Sequence, residues 1–136
     1  MPPDPAPATP RSPFKGKTGV ARIVQAFLSS LAGLADAWRH ESAFRQEVVL
    51  ALVLLPFAMW VRVSVAERCL LVSTVLLVLV VELLNSGVEA AIDRIGLDRH
   101  DLSKRAKDLG SAAVLVALVL LMLVWGTIVG NAWPPL

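Results

Sequence analysis

From residue 109 to the C-terminus the chain carries no charged side chain, and the first ~20 residues of that run suffice to take a helix across a ~30 Å hydrocarbon core. Within lipid a backbone must satisfy its own polar groups, so the run reads as a transmembrane helix. Two shorter charge-free runs, 48–61 and 69–81, reach only about 20 Å each at ~1.5 Å per residue. To cross, the first must recruit "SAFRQE" on its N-terminal side, and the second must continue through "ELLNSGVEAAI". Polar residues are thereby drawn to membrane depth. A soluble core could bury helices this short, but a composition with 56% hydrophobic residues and no tyrosine, at a mean hydropathy of +0.67, excludes an ordinary soluble domain. The expected fold is an all-α membrane protein with three spans.

Basic residues orient those spans. Arg11, Lys15, Lys17, Arg22, Arg39 and Arg45 precede the first span, and only Arg62 and Arg68 lie between the first and second. Arg94, Arg99, Lys104, Arg105 and Lys107 lie between the second and third, and none follow. The excess puts the N-terminus and the "DRIGLDRHDLSKRAKD" loop in the cytoplasm and turns the C-terminus outward. The charge thus reports topology, and no nucleic-acid partner is expected.

The opening "MPPDPAPATPRSP" has no apolar core of a signal peptide, and residues 1–17 read as a disordered, proline-rich tail. "GKT" at 16–18 lacks the preceding glycine and strand of a phosphate-binding loop. The single cysteine, Cys69, excludes an intrachain disulfide framework and reads as a small apolar helix residue. Between the tail and the first span, Val20, Ile23, Val24, Phe27, Leu31, Leu34, Ala35 and Trp38 recur at helical steps, opposite Arg22, Gln25, Ser29, Asp36 and Arg39. An amphipathic helix over about 19–38, lying in the cytoplasmic interface, fits that pattern. A bundle member with half its face packed would fit it as well.

The most informative stretch is "VVELLNSGVEAAIDRIG". At about 100° per residue, Glu82, Asn85, Ser86, Glu89 and Asp93 project as one stripe. It descends from the charged loop into the inner leaflet, with Glu82 the deeper and Glu89 about 10 Å nearer the cytoplasm. An ionisable group at that depth is costly, which makes function the default reading. The competing reading is that Glu82 or Glu89 pairs with Arg45 or Lys107 to lock the bundle, but a lock needs one pair and not a graded row.

Ser103 is expected to cap the third span, placing Lys104, Lys107, Asp108 and Ser111 on one face, with Gly110, Ala112 and Ala113 allowing close helix approach. In "WRHESAFRQE", Glu41 and Arg45 stand one turn apart. Basic side chains neutralise phosphate oxygens, and one or two carboxylates completed by substrate phosphates are the usual seat of Mg²⁺. This set suits phosphoryl transfer. His40 and His100 lack a constellation that needs imidazole chemistry and read as polar interface residues whose backbone matters more than the ring.

The segments "ESAFRQE", "VELLNSGVEAAIDRIG" and "SKRAKDLGSAAV" resemble the signature segments of the prokaryotic diacylglycerol kinase family, small membrane enzymes that phosphorylate a lipid hydroxyl with ATP. The likeness runs from about residue 18 to residue 133. It implies a lipid kinase domain over 18–136, with the surface helix followed by spans at about 42–61, 68–92 and 104–130 and a cytoplasmic loop at about 93–103. It also implies a homotrimer in the bacterial inner membrane, with active sites shared between subunits at the cytoplasmic interface. The activity implied is phosphorylation of diacylglycerol to phosphatidic acid by MgATP.

Carried onto this chain, the resemblance makes Glu82 the catalytic base and Glu41 and Glu89 the Mg²⁺ ligands and nucleotide contacts. Asn85 stands beside the base. Lys107 and Asp108 meet the nucleotide, with Asp98, Arg99 and His100 near the adenine and ribose. Arg22 touches both substrates, Ser111 the lipid, and Ala43, Phe44, Arg45, Gln46 and Glu47 line the lipid side. Ser29 falls among the nucleotide contacts, but it and Leu31 stand where relatives carry a tyrosine and a tryptophan, so contacts from that turn differ. An undecaprenol kinase would use the same apparatus. A small proton-coupled exporter would employ Glu82 as its proton carrier and leave Glu41, Glu89 and the Lys104–Ser111 face without a task.

Overall fold

The structure is a computed structural model that describes residues 19–96, 98 and 100–133. The tail and Arg99 lie outside the described residues. Four helices follow one another: α1 (Val20–His40), α2 (Ser42–Trp60), α3 (Val65–Ile95) and α4 (Asp101–Asn131). Among the described residues there is no strand. All four helices, α1 included, are long and apolar enough to cross a membrane.

The chain divides into two compact units at Ala35/Asp36. The first carries most of α1, whose large apolar side chains, Ile23, Phe27 and Leu31 among them, are exposed. The second holds the last turn of α1 and the bundle, in which α3 packs against both α2 and α4. Its core is narrow. Ala51 and Ala58 of α2 meet Leu71, Val75 and Val78 of α3, and Ala117, Leu121, Trp125 and Ile128 of α4 close the other side. Alanine at three of these positions lets the helices approach closely. The Trp125 indole N–H donates to the Leu71 carbonyl at 3.2 Å, a polar tie between α4 and α3 inside the core. Outside this seam the bundle keeps Leu52, Val53, Leu84, Leu115, Val116 and Leu123 exposed, the distribution of a chain whose outer faces meet lipid or other apolar surface rather than water.

The helix ends are satisfied largely by side chains. Arg45 donates to the Trp38 and Arg39 carbonyls at 2.9 and 3.2 Å, closing the end of α1. At the far end of α2, Arg68 donates to the carbonyls of Ala58, Met59 and Val61. α3 opens with a capping box: the Glu67 N–H donates to Ser64 Oγ, and the Glu67 carboxylate accepts from the Ser64 N–H at 2.8 Å.

α4 departs from expectation. Ser103 is not its cap; the helix starts at Asp101, and His100 Nδ1 accepts the Leu102 N–H at 3.2 Å. The imidazole of His100 therefore does what an N-cap oxygen usually does, and its ring is used after all. The His40 ring is engaged too, with Nδ1 3.1 Å from an Asp36 carboxylate oxygen. Ala112 and Ala113 are exposed rather than packed, and close approach along α4 is carried by Gly110 and Ala117.

Candidate active site

The carboxylate stripe runs along α3 with burial that falls towards its C-terminal end. Glu82 is only 4% exposed, Asn85, Ser86 and Glu89 are half-buried, and Asp93 is exposed. Two polar atoms on the stripe, Asn85 Oδ1 and Ser86 Oγ, are buried without a hydrogen-bond partner among the described residues, as is Glu47 Oε2 on α2. Asn85 Nδ2 donates to Glu89 Oε1 at 3.2 Å.

A cleft of about 310 Å³ opens on this stripe, lined by Glu41, Ser42 and Ala43, by Glu82, Asn85 and Glu89, and by Ser111 and Val114. Three helices thus converge on it. Glu41 is the N-cap residue of α2 but its side chain makes no capping bond, so the carboxylate is left to the cleft. Glu82 lies within electrostatic reach of Glu41, Glu47 and Glu89. Among the described residues none of these four carboxylates forms a salt bridge. The bundle-lock reading therefore fails: Arg45 is spent on helix carbonyls, and Lys107 pairs with Asp93 at 2.6 Å.

One turn further along, a larger cleft of about 600 Å³ is lined by Asp93, Asp98, His100, Lys104, Lys107 and Asp108, among others. Lys104 also has a partner, Asp108, at 2.5 Å. The two lysines expected to face phosphate together are each held by an aspartate, one across helices and one along α4.

Of the expected site residues, the first cleft gathers Glu41, Ala43, Glu82, Asn85, Glu89 and Ser111. The second gathers Asp98, His100, Lys107 and Asp108. Phe44 and Glu47 are buried in the bundle and Gln46 is exposed. Arg22 and Ser29 belong to the other compact unit, where both are exposed. Ser42 and Val114 line the first cleft without having been singled out from sequence, because neither carries charge or unusual spacing.

Among the described residues no group of three His, Cys, Asp or Glu side chains converges as a ready cage. Glu41 and Glu89 supply hard oxygen donors on one cleft, neither of them in a salt bridge among the described residues, which fits a Mg²⁺ ion that takes its remaining ligands from substrate phosphates and water.

The prokaryotic diacylglycerol kinase family model matches residues 28–129. This chain belongs to that family. A diacylglycerol kinase of Pseudomonas aeruginosa is 55% identical over 117 residues, covering 86% of this chain and 95% of the relative. The diacylglycerol kinase of Escherichia coli is 50% identical over 108 residues, 79% of this chain and 88% of the relative. One from Helicobacter pylori is 44% identical over 114 residues, 84% and 88% of the two chains. Family membership makes the chain a lipid kinase, and its four apolar helices make it a membrane protein.

Proposed function

We propose that this kinase transfers the γ-phosphoryl group of ATP to the free hydroxyl of diacylglycerol, giving phosphatidic acid and ADP at the cytoplasmic face of the bacterial inner membrane. The observation that carries the reading is the cleft itself. It joins a deeply buried carboxylate to two shallower ones, none of them in a salt bridge among the described residues. The names of the relatives favour diacylglycerol over a polyprenol.

Glu82 acts as the base. Its carboxylate accepts the lipid hydroxyl proton as the oxygen attacks the γ-phosphorus, and the bond to the bridging oxygen breaks to release ADP. Glu41 and Glu89 hold Mg²⁺, which offsets negative charge on the phosphates. Lys107 and Asp108 face the nucleotide, and Asp98, Arg99 and His100 the adenine and ribose. Lys107 must then exchange Asp93 for phosphate oxygens, a swap between anions that keeps the ammonium paired. Asn85 orients Glu89, while Ser111 and Ala43, which line the same cleft, meet the lipid. Arg22 and Ser29 contribute from α1, which lies along the interface as an amphipathic helix. Three copies assemble and share their sites, covering apolar faces that a lone chain leaves open.

The test is transfer of labelled γ-phosphate by the purified full chain in mixed micelles containing MgATP and either diacylglycerol or undecaprenol. Label in phosphatidic acid supports the reading. Label only in the polyprenol, or in neither, rejects it.

A further inference from the structure

Asn85 on α3 and Gly110 on α4 face each other where the two helices touch. The Asn85 side chain lies over Gly110 so closely that a Cβ at 110 would overlap Oδ1 and stand 3.2 Å from Cγ. The glycines at 87, 126 and 130, also within helices, have open space in the same direction. Gly110 has no left-handed backbone angle. Its position therefore needs the absence of a side chain and not conformational freedom.

The orientation of the amide follows from chemistry. A carboxylate only accepts, so the Asn85 nitrogen faces Glu89, donating at 3.2 Å, and Oδ1 is turned to Gly110. Oδ1 is buried and has no conventional partner among the described residues. What occupies the Cβ direction of glycine is its second Hα, a weak donor to a carbonyl oxygen. A methyl group there could not be met by turning the amide about its last bond, because Cγ itself is crowded. The side chain must therefore turn and also give way at Cγ, and the bond to Glu89 is disturbed with it.

We propose that Gly110 is a positioning residue for the reaction: it gives Asn85 the room to hold the Glu89 carboxylate towards the cleft, and through it sets the affinity of the metal–nucleotide site. The proposal rests on the reading of Glu89 as a metal ligand. Groups that orient ligands in this way typically change metal affinity by ~10- to 100-fold when lost.

The experiment uses the full chain in nanodiscs as the parent, Gly110→Ala, Asn85→Ala, the double variant and Glu89→Gln. Two quantities are read: the Asn85 side-chain amide resonance, assigned by its loss in Asn85→Ala, and the Mg²⁺ concentration giving half-maximal phosphoryl transfer. Gly110→Ala is expected to shift the resonance without metal present and to raise the Mg²⁺ requirement ~10-fold or more. In the Asn85→Ala background the same change should add nothing, since the colliding group is gone. An unmoved resonance overturns the proposal, as does full additivity. So does a parent-like Mg²⁺ titration of Gly110→Ala while that of Glu89→Gln shifts. A moved resonance with parent-like titrations of both Gly110→Ala and Glu89→Gln supports the Gly110–Asn85 coupling and rejects the metal assignment of Glu89 instead. Should Gly110→Ala fail to fold, the double variant is expected to recover folding, and its failure also overturns the proposal.

Discussion

Glu82 accepts no hydrogen bond from any described residue, and three further carboxylates lie within reach of its charge. An ionised group costs on the order of 2.5–3.5 kcal/mol at the centre of a membrane helix on the lenient insertion scale and less towards the boundary, and no described residue donates a hydrogen bond or forms a salt bridge to offset that cost for Glu82. This is the placement of a group whose partner arrives with the substrate. Glu82→Gln keeps size and hydrogen bonding but removes the lone pair that would accept the hydroxyl proton, so phosphoryl transfer should fall by ~10²- to 10⁴-fold. Binding of an ATP analogue with Mg²⁺ should survive, because Glu41, Glu89 and Lys107 remain, and resistance to unfolding should hold or rise. A variant that phosphorylates diacylglycerol at close to the parent rate under saturation would end the base assignment. Glu41→Gln and Glu89→Gln should behave differently. Each is expected to raise the Mg²⁺ needed for half-maximal rate with little change in the lipid KM, as separate Mg²⁺ and lipid titrations would read. Parent-like metal titrations of both would remove Mg²⁺ from this pair of residues.

Among the elements, α3 was the most legible from sequence, because a row of polar residues at three- and four-residue steps in an apolar helix has one geometric meaning. Its falling burial from Glu82 to Asp93 follows that row. Contacts between elements were less legible. Asp93 pairing with Lys107 needs the relative rotation of α3 and α4, which no spacing within either helix supplies. His100 as the α4 cap was hidden by better capping types nearby, since Asp101 and Ser103 both rank above an imidazole. The crowding at Gly110 was visible only as a small residue among alanines, of which Ala112 and Ala113 turned out exposed. Arg68 is the plainest case. The sequence offered it as an orienting charge, whereas in the fold it ties α3 to α2 by donating to three carbonyls at the end of a helix that Pro56 already deprives of one internal bond. Arg68→Met keeps much of the apolar stem and removes every donor, so it should lower stability by about 1–3 kcal/mol. Unfolding in mixed micelles would measure the loss. Lipid kinase turnover at a permissive temperature should stay near the parent value, because the cap lies at the opposite end of α3 from Glu89.

For the whole molecule, the length of α3 links the membrane to the chemistry. Its 31 residues extend about 46 Å at ~1.5 Å per residue, against a hydrocarbon core of ~30 Å. The surplus of roughly 15 Å has to lie in the headgroup region or beyond it at one end or both. With Val65 near the outer boundary, about 20 residues use up the core, and hydrocarbon ends close to Asn85. On the proposed orientation Glu82 would lie just inside, within reach of a lipid hydroxyl, while Glu89 and Asp93 would stand among headgroups, where MgATP would arrive from water. The opposite orientation would present the same carboxylates to a compartment without ATP, so the direction of α3 decides whether the site can work. The excess of basic residues on the N-terminal side and in the α3–α4 loop argues for Ile95 inside and Val65 outside. These two residues mark the ends of one helix and are 84% and 80% exposed, so cysteines there should react readily. Cys69, itself exposed, is first replaced by alanine. In intact cells a membrane-impermeant maleimide should modify Val65→Cys and spare Ile95→Cys, and permeabilised cells should label both. If Ile95→Cys is the one labelled from outside, the orientation is reversed, and the cleft of Glu41, Glu82 and Glu89 loses its access to ATP.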